Sequence, residues 1–350
     1  MSTSLRVIAL QKEPAEIIRI YFEPISGTPV TYRAGQFLTL AFRLGGVKTL
    51  RRSYSFCSSP DVDEPLAIAV KLVENGEISR LLHHQLRVGD MVEMAAAGGQ
   101  FIYPTDPLIY RTLFLFAAGV GITPLLSILK TALVKEVHSK LVLVFSSRSA
   151  EDTPFAKDIA HWKARYPERL QVIHLYSSSP NLLRARLNGP LINTIVTQEL
   201  TYARDAALFY LCGPVDYMDV CRISLLSAGF KAEQIRRETF VLPEDEADED
   251  DTTEKVVDKK TYRVALQING KTHRFDVPYP KRILDVALEH KIDVPYSCSG
   301  GVCSTCTATC VKGHVRMDYN EVLTDEELAA GRVLICTGHP TENDTTIVYE

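Results

Sequence analysis

Cys298-Ser299-Gly300-Gly301-Val302-Cys303-Ser304-Thr305-Cys306 puts three thiols into one short loop, and Cys336, within Leu334-Ile335-Cys336-Thr337, offers a fourth. The pattern Cys-x4-Cys-x2-Cys with a distant fourth Cys is the ligand spacing of a [2Fe–2S] cluster. Two irons and two sulfides need four thiolates. A tight loop can wrap three of them around one edge, and Cys336, coming off a separate strand, closes the site. Gly300 and Gly301 lack Cβ atoms, so the backbone can approach the sulfides and aim N–H groups at them. Hydrogen bonds of that kind, with Ser299, Ser304 and Thr305 alongside, tune the potential of a cluster. The alternatives are zinc or inert structural cysteines. Zinc sites usually use paired Cys-x2-Cys knuckles, and this stretch has one such pair. Cys310 falls four residues after Cys306, outside the pattern, and is expected to be a packed strand residue.

The rest of the chain is ordinary globular material. It has 350 residues, 46% hydrophobic and 23% charged, enough for two or three domains. The net charge of -4 and the lack of a basic stripe give no nucleic-acid footprint. No apolar run approaches the roughly 18 residues that span a bilayer, so no membrane partner is expected. Met1 to Leu10 lacks the basic and apolar regions of an export signal. A cytoplasmic protein is therefore expected, and in that compartment clustered cysteines point to metal or redox chemistry before disulfides.

Working back from the cysteine loop, Tyr262–Ile268 and Thr272–Val277 alternate around Asn269-Gly270, a hairpin signal. Ile283–His290 reads as a helix. Before this unit, Pro243–Lys255 is strongly acidic and reads as an extended linker, with a docking site for a basic partner as the alternative. From about Leu108, strands alternate with helices: Leu113–Ala118, a helix over Leu125–Val137, Leu141–Phe145, a helix over Phe155–Arg165, Leu170–Leu175, Ala207–Cys212, and a helix over Val215–Ala228. That order implies a parallel sheet with crossover helices. The first hundred residues give short strands at Val7–Leu10, Ile17–Phe22, Phe37–Phe42, Ser53–Cys57 and Leu66–Leu72, as in an antiparallel barrel, with one helix capped by Ser79 and running to Leu86. The expected organisation is a β-barrel over 1–106, an α/β domain over 107–242, a linker over 243–260 and an α+β unit over 261–350.

Four further motifs carry chemistry. In Arg51-Arg52-Ser53-Tyr54-Ser55, alternation sets Arg52 and Tyr54 on one face of the strand and Ser53 and Ser55 on the other. Gly76-Glu77-Ile78-Ser79 opens a helix whose N-terminus suits a phosphate; Ser79 as a simple N-cap is compatible with that. Gly119-Val120-Gly121-Ile122-Thr123-Pro124 joins a strand to a helix, and its two glycines permit close backbone approach to a pyrophosphate. Pro124 takes the place of the third glycine of the dinucleotide fingerprint. Cys212-Gly213-Pro214 follows another strand, at the carboxyl end where open α/β sheets bind ligands. Arg148, just past Leu141–Phe145, and Arg186 are candidates for a ribose 2′-phosphate, or else are solvated surface arginines.

Together, the order Arg-Ser-Tyr-Ser, Gly-Glu-Ile-Ser, Gly-x-Gly-x-Thr-Pro and Cys-Gly-Pro resembles the ferredoxin–NADP reductase superfamily, and Thr261–Glu350 resembles a plant-type ferredoxin with a β-grasp fold. The resemblance implies FAD, with Arg52 on its diphosphate, Tyr54 packed on the isoalloxazine and Ser55 hydrogen-bonding near N5. Ser53, Val70, Lys71, Leu72, Gly76, Ile78 and Ser79 would line the same site. It implies that Gly119, Gly121, Thr123, Pro124, Gly213 and Pro214 hold the nicotinamide nucleotide, that Cys212 lies beside nicotinamide C4, and that Phe240 covers a ring or serves as a core residue. Arg148 favours NADPH over NADH. One departure is Ala97-Gly98-Gly99-Gln100-Phe101, where the family often has Pro before Gly-x-Phe. The whole chain is similar to reductases of the phenylacetyl-CoA epoxidase type. The implied partner is an electron-accepting oxygenase of the diiron kind; a Rieske-type oxygenase, a hybrid-cluster protein or a non-catalytic redox sensor are the alternatives.

Overall fold

The computed structural model describes residues 3–44, 48–181, 185–240, 260–320 and 322–349. The acidic stretch read as a linker, up to residue 259, lies outside them. The chain divides into two compact units, Met1–Thr239 and Phe240–Glu350.

The first unit begins with six antiparallel strands: β1 (Thr3–Glu13), β2 (Ile17–Pro24), β3 (Phe37–Leu44), β4 (Lys48–Ser55), β5 (Leu66–Lys71) and β6 (Met91–Gly98). They pair in the order β4-β3-β6-β1-β2-β5. A single antiparallel bridge between Phe56 and Ile68 links the chain after β4 to β5, the other edge of the sheet. Leu5, Val7, Ile20, Phe22, Leu38, Leu40, Ile68 and Val70 pack as one core on its inner face. Helix α1 (Glu77–His84) follows β5. Its N-cap is Gly76, not Ser79. Ser79 sits inside the first turn, where its hydroxyl bonds back to Gly76 O at 3.2 Å and accepts from Val73 N at 3.1 Å.

The second sheet is parallel: β7 (Thr112–Ala118), β8 (Lys140–Ser147), β9 (Leu170–Tyr176), β10 (Leu208–Cys212) and β11 (Ile235–Glu238), in the order β11-β10-β7-β8-β9. The crossovers are α2 (Ile122–Lys135), α3 (Ala156–Arg165), α4 (Gly189–Glu199) and α5 (Val215–Ser227). Strand β7 is apolar from Leu113 to Ala118 because both of its faces are covered. Leu113, Leu115 and Ala117 pack with Leu125, Ile128 and Leu129 of α2, whereas Phe114 and Phe116 pack with Ile192 and Ile195 of α4 and Leu225 of α5. Every residue of α2 from Ile122 to Leu133 is buried, since it lies between this sheet and the first one. Helix α4 and strand β11 were not anticipated from the sequence.

The second unit holds a mixed sheet of β12 (Tyr262–Ile268), β13 (Lys271–Val277), β14 (Thr307–Lys312), β16 (Arg332–Leu334) and β18 (Thr345–Val348), in the order β13-β12-β18-β14-β16. A small ribbon pairs β15 (Val315–Met317) with β17 (Gly338–Pro340). Helix α6 (Ile283–Glu289) buries Ile283, Leu284, Val286 and Ala287 against the sheet, and α7 (Asp325–Ala329) is capped by Thr324. Asn269 and Gly270, both with positive φ, make the expected tight hairpin between β12 and β13. No helix among the described residues is long and apolar enough to cross a membrane.

Candidate functional site

Order β11-β10-β7-β8-β9 means that the chain leaves β7 in one direction and later returns to its other side. The carboxyl ends of β7 and β10 therefore form the switch point of the sheet, where such sheets bind ligands. Both expected motifs emerge there. Cys212 pairs in register with Ala117, so the turn Gly119–Gly121 and the turn Cys212-Gly213-Pro214 lie side by side. They touch: a Cβ on Gly121 would fall 2.3 Å from Cys212 O, and one on Gly213 would fall 2.9 Å from Ala118 Cβ. Thr123 donates to Val120 O at 2.9 Å, bracing the first turn, and Pro124 is buried at the start of α2. Cys212 is fully buried, and that burial, then the nearby Glu238, hold its thiol well above the usual range. Glu238 ends β11 directly opposite Cys212. Sequence reasoning gave Glu238 no role; the parallel pairing of β11 with β10 is what places it there. Tyr217, whose hydroxyl donates to Ala117 O at 3.1 Å, was missed as well.

The flavin-motif residues gather on neighbouring pieces of the first sheet. Ser53, Tyr54 and Ser55 lie on β4, with Ser53 Oγ 3.1 Å from Thr39 Oγ1. Burial raises the Tyr54 hydroxyl pKa. Arg52 is exposed and donates to Arg51 O at 2.8 Å. Val70 and Lys71 end β5, and Leu72 follows, its N–H bonded to Glu16 O. His83 on α1 lies 2.9 Å from Val70 O and ties the helix to that strand. Gly76 allows the tight entry to α1, because a Cβ there would meet Ser79 Oγ at 2.5 Å. Ile78 is buried in the first turn, which has no side-chain cap on its N–H groups. The buried hydroxyls of Ser55 and Thr239 have no hydrogen-bond partner among the described residues. Buried polar atoms are normally paired, so this donor set fits a polar flavin edge and a phosphate at the α1 terminus.

Arg148 and Arg186 are exposed in loops beyond β8 and before α4, and Phe240 is exposed at the start of the second unit.

In the second unit the four expected thiols converge. Cys298 is in contact with Cys303 and Cys336, and Cys336 with Cys306. The sulfurs receive backbone N–H groups: Gly300 N to Cys298 Sγ and Cys298 N to Cys303 Sγ, both at 3.4 Å. Thr305 Oγ1 stands 3.3 Å from Cys303 Sγ. The Cys303 thiol is raised by its hydrogen bond to Cys298 and then by burial. Gly301 adopts φ +80°, and a Cβ there would strike Tyr319 O at 2.6 Å. Cys336 lies in the turn between β16 and β17 instead of on a strand. No group of three His, Cys, Asp or Glu among the described residues is arranged to hold a single metal ion. A two-iron cluster asks for something different, two thiolates on each iron, and the chain of contacts Cys303–Cys298–Cys336–Cys306 supplies two pairs. Cys310 packs on β14, as expected.

Known proteins share this arrangement. Three family models match in order: an oxidoreductase FAD-binding domain over residues 16–103, an oxidoreductase NAD-binding domain over 115–222, and a 2Fe-2S iron-sulfur cluster binding domain over 266–341. One component of the 1,2-phenylacetyl-CoA epoxidase of Escherichia coli (strain K12) is 31% identical over 99% of this chain and 97% of its own. The ferredoxin reductase component of 3-ketosteroid-9-alpha-monooxygenase from Mycobacterium tuberculosis (strain CDC 1551 / Oshkosh) is 30% identical over 91% of this chain and 86% of its own. Phthalate dioxygenase reductase shares the fold, with a TM-score of 0.61 and 22% identity over 99% of this chain and 96% of that one. An intact type IV self-sufficient cytochrome P450 monooxygenase superposes with a TM-score of 0.73 and 19% identity over 99% of this chain, which spans 41% of that longer protein.

Fold and site define a flavin- and nicotinamide-dependent oxidoreductase with an iron–sulfur domain. The chain belongs to the ferredoxin–NADP reductase superfamily, among the members that carry a C-terminal [2Fe–2S] ferredoxin domain.

Proposed function

We propose that this protein takes hydride from NADPH and delivers single electrons to a separate oxygenase, of the diiron kind served in phenylacetyl-CoA epoxidation. The observation that carries the reading is the convergence of four thiols in a chain that also holds a nucleotide crevice. Bound FAD accepts a hydride and gives up electrons singly, and a [2Fe–2S] cluster carries one at a time. The protein's part is to hold and order these groups. Arg52 and the α1 N-terminus at Gly76, Ile78 and Ser79 offer charge and N–H groups to the FAD diphosphate. Tyr54, Val70, Lys71 and Leu72 would form its wall, and Ser53 and Ser55 would present hydroxyls, that of Ser55 being buried and without a partner among the described residues. Gly119, Gly121, Thr123, Pro124, Gly213 and Pro214 shape the crevice that would hold the nicotinamide nucleotide, with Cys212 at its floor. Arg148 and Arg186 answer a 2′-phosphate, which favours NADPH. Cys298, Cys303, Cys306 and Cys336 ligate the cluster.

In the same reading, 1–106 closes as a β-barrel, 107–242 is the nucleotide domain, 243–260 is a linker and 261–350 is a β-grasp domain, all in the cytoplasm. The match to the Escherichia coli epoxidase component supports an oxygenase partner, and the diiron kind rests on the resemblance of the whole chain to reductases of that type.

The test uses the full chain loaded with FAD and iron. With NADPH, the protein should reduce ferricyanide and cytochrome c. Cys336→Ser should keep ferricyanide reduction within about twofold and lower cytochrome c reduction about a hundredfold, because only the second route needs the cluster. Absence of turnover in fully loaded protein would leave the sensor reading. Faster electron delivery to a 3-ketosteroid monooxygenase oxygenase than to a phenylacetyl-CoA epoxidase oxygenase would replace the partner.

A further inference from the structure

The loop that carries Arg148 is anchored from outside its own sheet. Between β8 and α3, residues 147 to 153 are cross-braced. Ser147 Oγ lies 2.8 Å from Thr153 Oγ1, Thr153 Oγ1 donates to Ser149 O at 2.8 Å, and Ser149 Oγ is 3.1 Å from Asp152 Oδ2. Such a loop moves as one piece. Its far end is Phe155, a bulky residue held at φ +57°, a conformation that non-glycine residues rarely adopt. What holds it there comes from the first sheet. Phe155 N donates to Glu13 Oε2 at 3.0 Å. The other oxygen of Glu13 pairs with Arg19 at 2.7 Å, Arg19 also pairs with Asp158 on α3 at 2.7 Å, and its guanidinium lies 4.3 Å from the Phe155 ring centre. The side chains of Glu13 and Arg19 are each 7% exposed.

Buried charge of this kind contributes little to stability compared with apolar packing, whereas removal of one partner is costly. Its use here is geometric. We propose that Glu13 and Arg19 are positioning residues for nucleotide recognition: from the β1–β2 hairpin they fix the Arg148 loop, so that the flavin-binding sheet sets the affinity and the 2′-phosphate preference of the nucleotide-binding one. The inference rests on the reading of Arg148 as a 2′-phosphate contact. Neither residue touches the nucleotide, and their effect is carried by Phe155 and the braced loop.

The test is steady-state ferricyanide reduction by the FAD-loaded full chain, with NADPH and with NADH. Glu13→Ala should raise KM for NADPH about fivefold or more, leave kcat within about twofold and narrow the NADPH-to-NADH preference. Glu13→Gln, which still offers an oxygen to Phe155 N–H, should restore most of the affinity. Arg148→Ala separates the loop's role from the anchor's. No effect of Arg148→Ala overturns the reading of the loop and the proposal with it; an effect of Arg148→Ala without one of Glu13→Ala overturns the proposal alone. Should Glu13→Ala fail to fold, hydrogen exchange in the unaltered protein decides. A Phe155 amide as slow as those of β1 supports the anchor, and one as fast as an open loop refutes it.

Discussion

The nucleotide crevice and the cysteine loop both depend on a glycine that no side chain can replace, yet for different reasons. Gly121 has an ordinary helical backbone, and its difficulty is purely steric, since a Cβ would run into the carbonyl of Cys212 on the next strand. Gly301 combines the same kind of collision, with Tyr319 O, and a left-handed φ. In the crevice the glycine lets two strand ends close on each other. In the loop, the glycine lets the backbone fold inward so that sulfur atoms are served by N–H groups and by one another. One glycine brings two strand ends together, and the other turns a loop inward on its own sulfurs.

That contrast can be broken. Gly301→Ala should cost the most: iron and acid-labile sulfide fall to near zero, while flavin content and ferricyanide reduction persist, because strain and collision fall on the ligand loop together. Retained iron after anaerobic reconstitution would show that the loop tolerates the change. Gly121→Ala should keep flavin and iron but lower kcat/KM for NADPH about a hundredfold, since a shift near 1 Å at the crevice misplaces the reacting groups. Loss of flavin instead would mean that the two sheets, not the crevice alone, had moved.

The smallest effect concerns Cys212. Its folded thiol stays protonated well above the pH at which an unfolded cysteine ionises, near 8.5. Below that pH its contribution to stability is complete. As pH rises past it, the unfolded chain sheds a proton that the folded chain keeps, and stability declines. Cys212→Ala should therefore lose less Tm between pH 7 and pH 9.5 than the parent, by a few degrees at most. Equal losses would point to ionisation elsewhere. Cys57, pushed up to about 12 by burial, has the same sign and supplies a second comparison.

Much of this was legible in the sequence where chemistry is local. The four thiols follow from spacing, and their convergence in the folded chain follows from a loop too short to separate three of them. The parallel sheet was legible because the apolar runs Leu113–Ala118 and Leu141–Phe145 alternate with helical stretches. Helix α4 was not, since Gly189 and Pro190 at its start resemble a turn and three buried residues, Ile192, Ile195 and Val196, give it a weak stripe. Ser79 looked like a cap because a serine before an apolar stretch usually is one. Its hydroxyl instead bonds backward to Val73 and Gly76, which moves the helix start upstream to Glu77. Contacts between distant segments were the least legible. Nothing near Glu13 announces Phe155, and nothing near Cys212 announces Glu238; each pairing appears only when the strand order is known.

Strand β18, formed by residues 345–348, sits in the middle of its sheet, between β12 and β14. The ribosome makes the thiols at 298, 303 and 306 long before it makes the strand that completes their support. Until residues 345–348 emerge, no strand joins β12 to β14, and each presents an open edge. The frame around the cluster loop is therefore complete only once β18 is in place between its two neighbours.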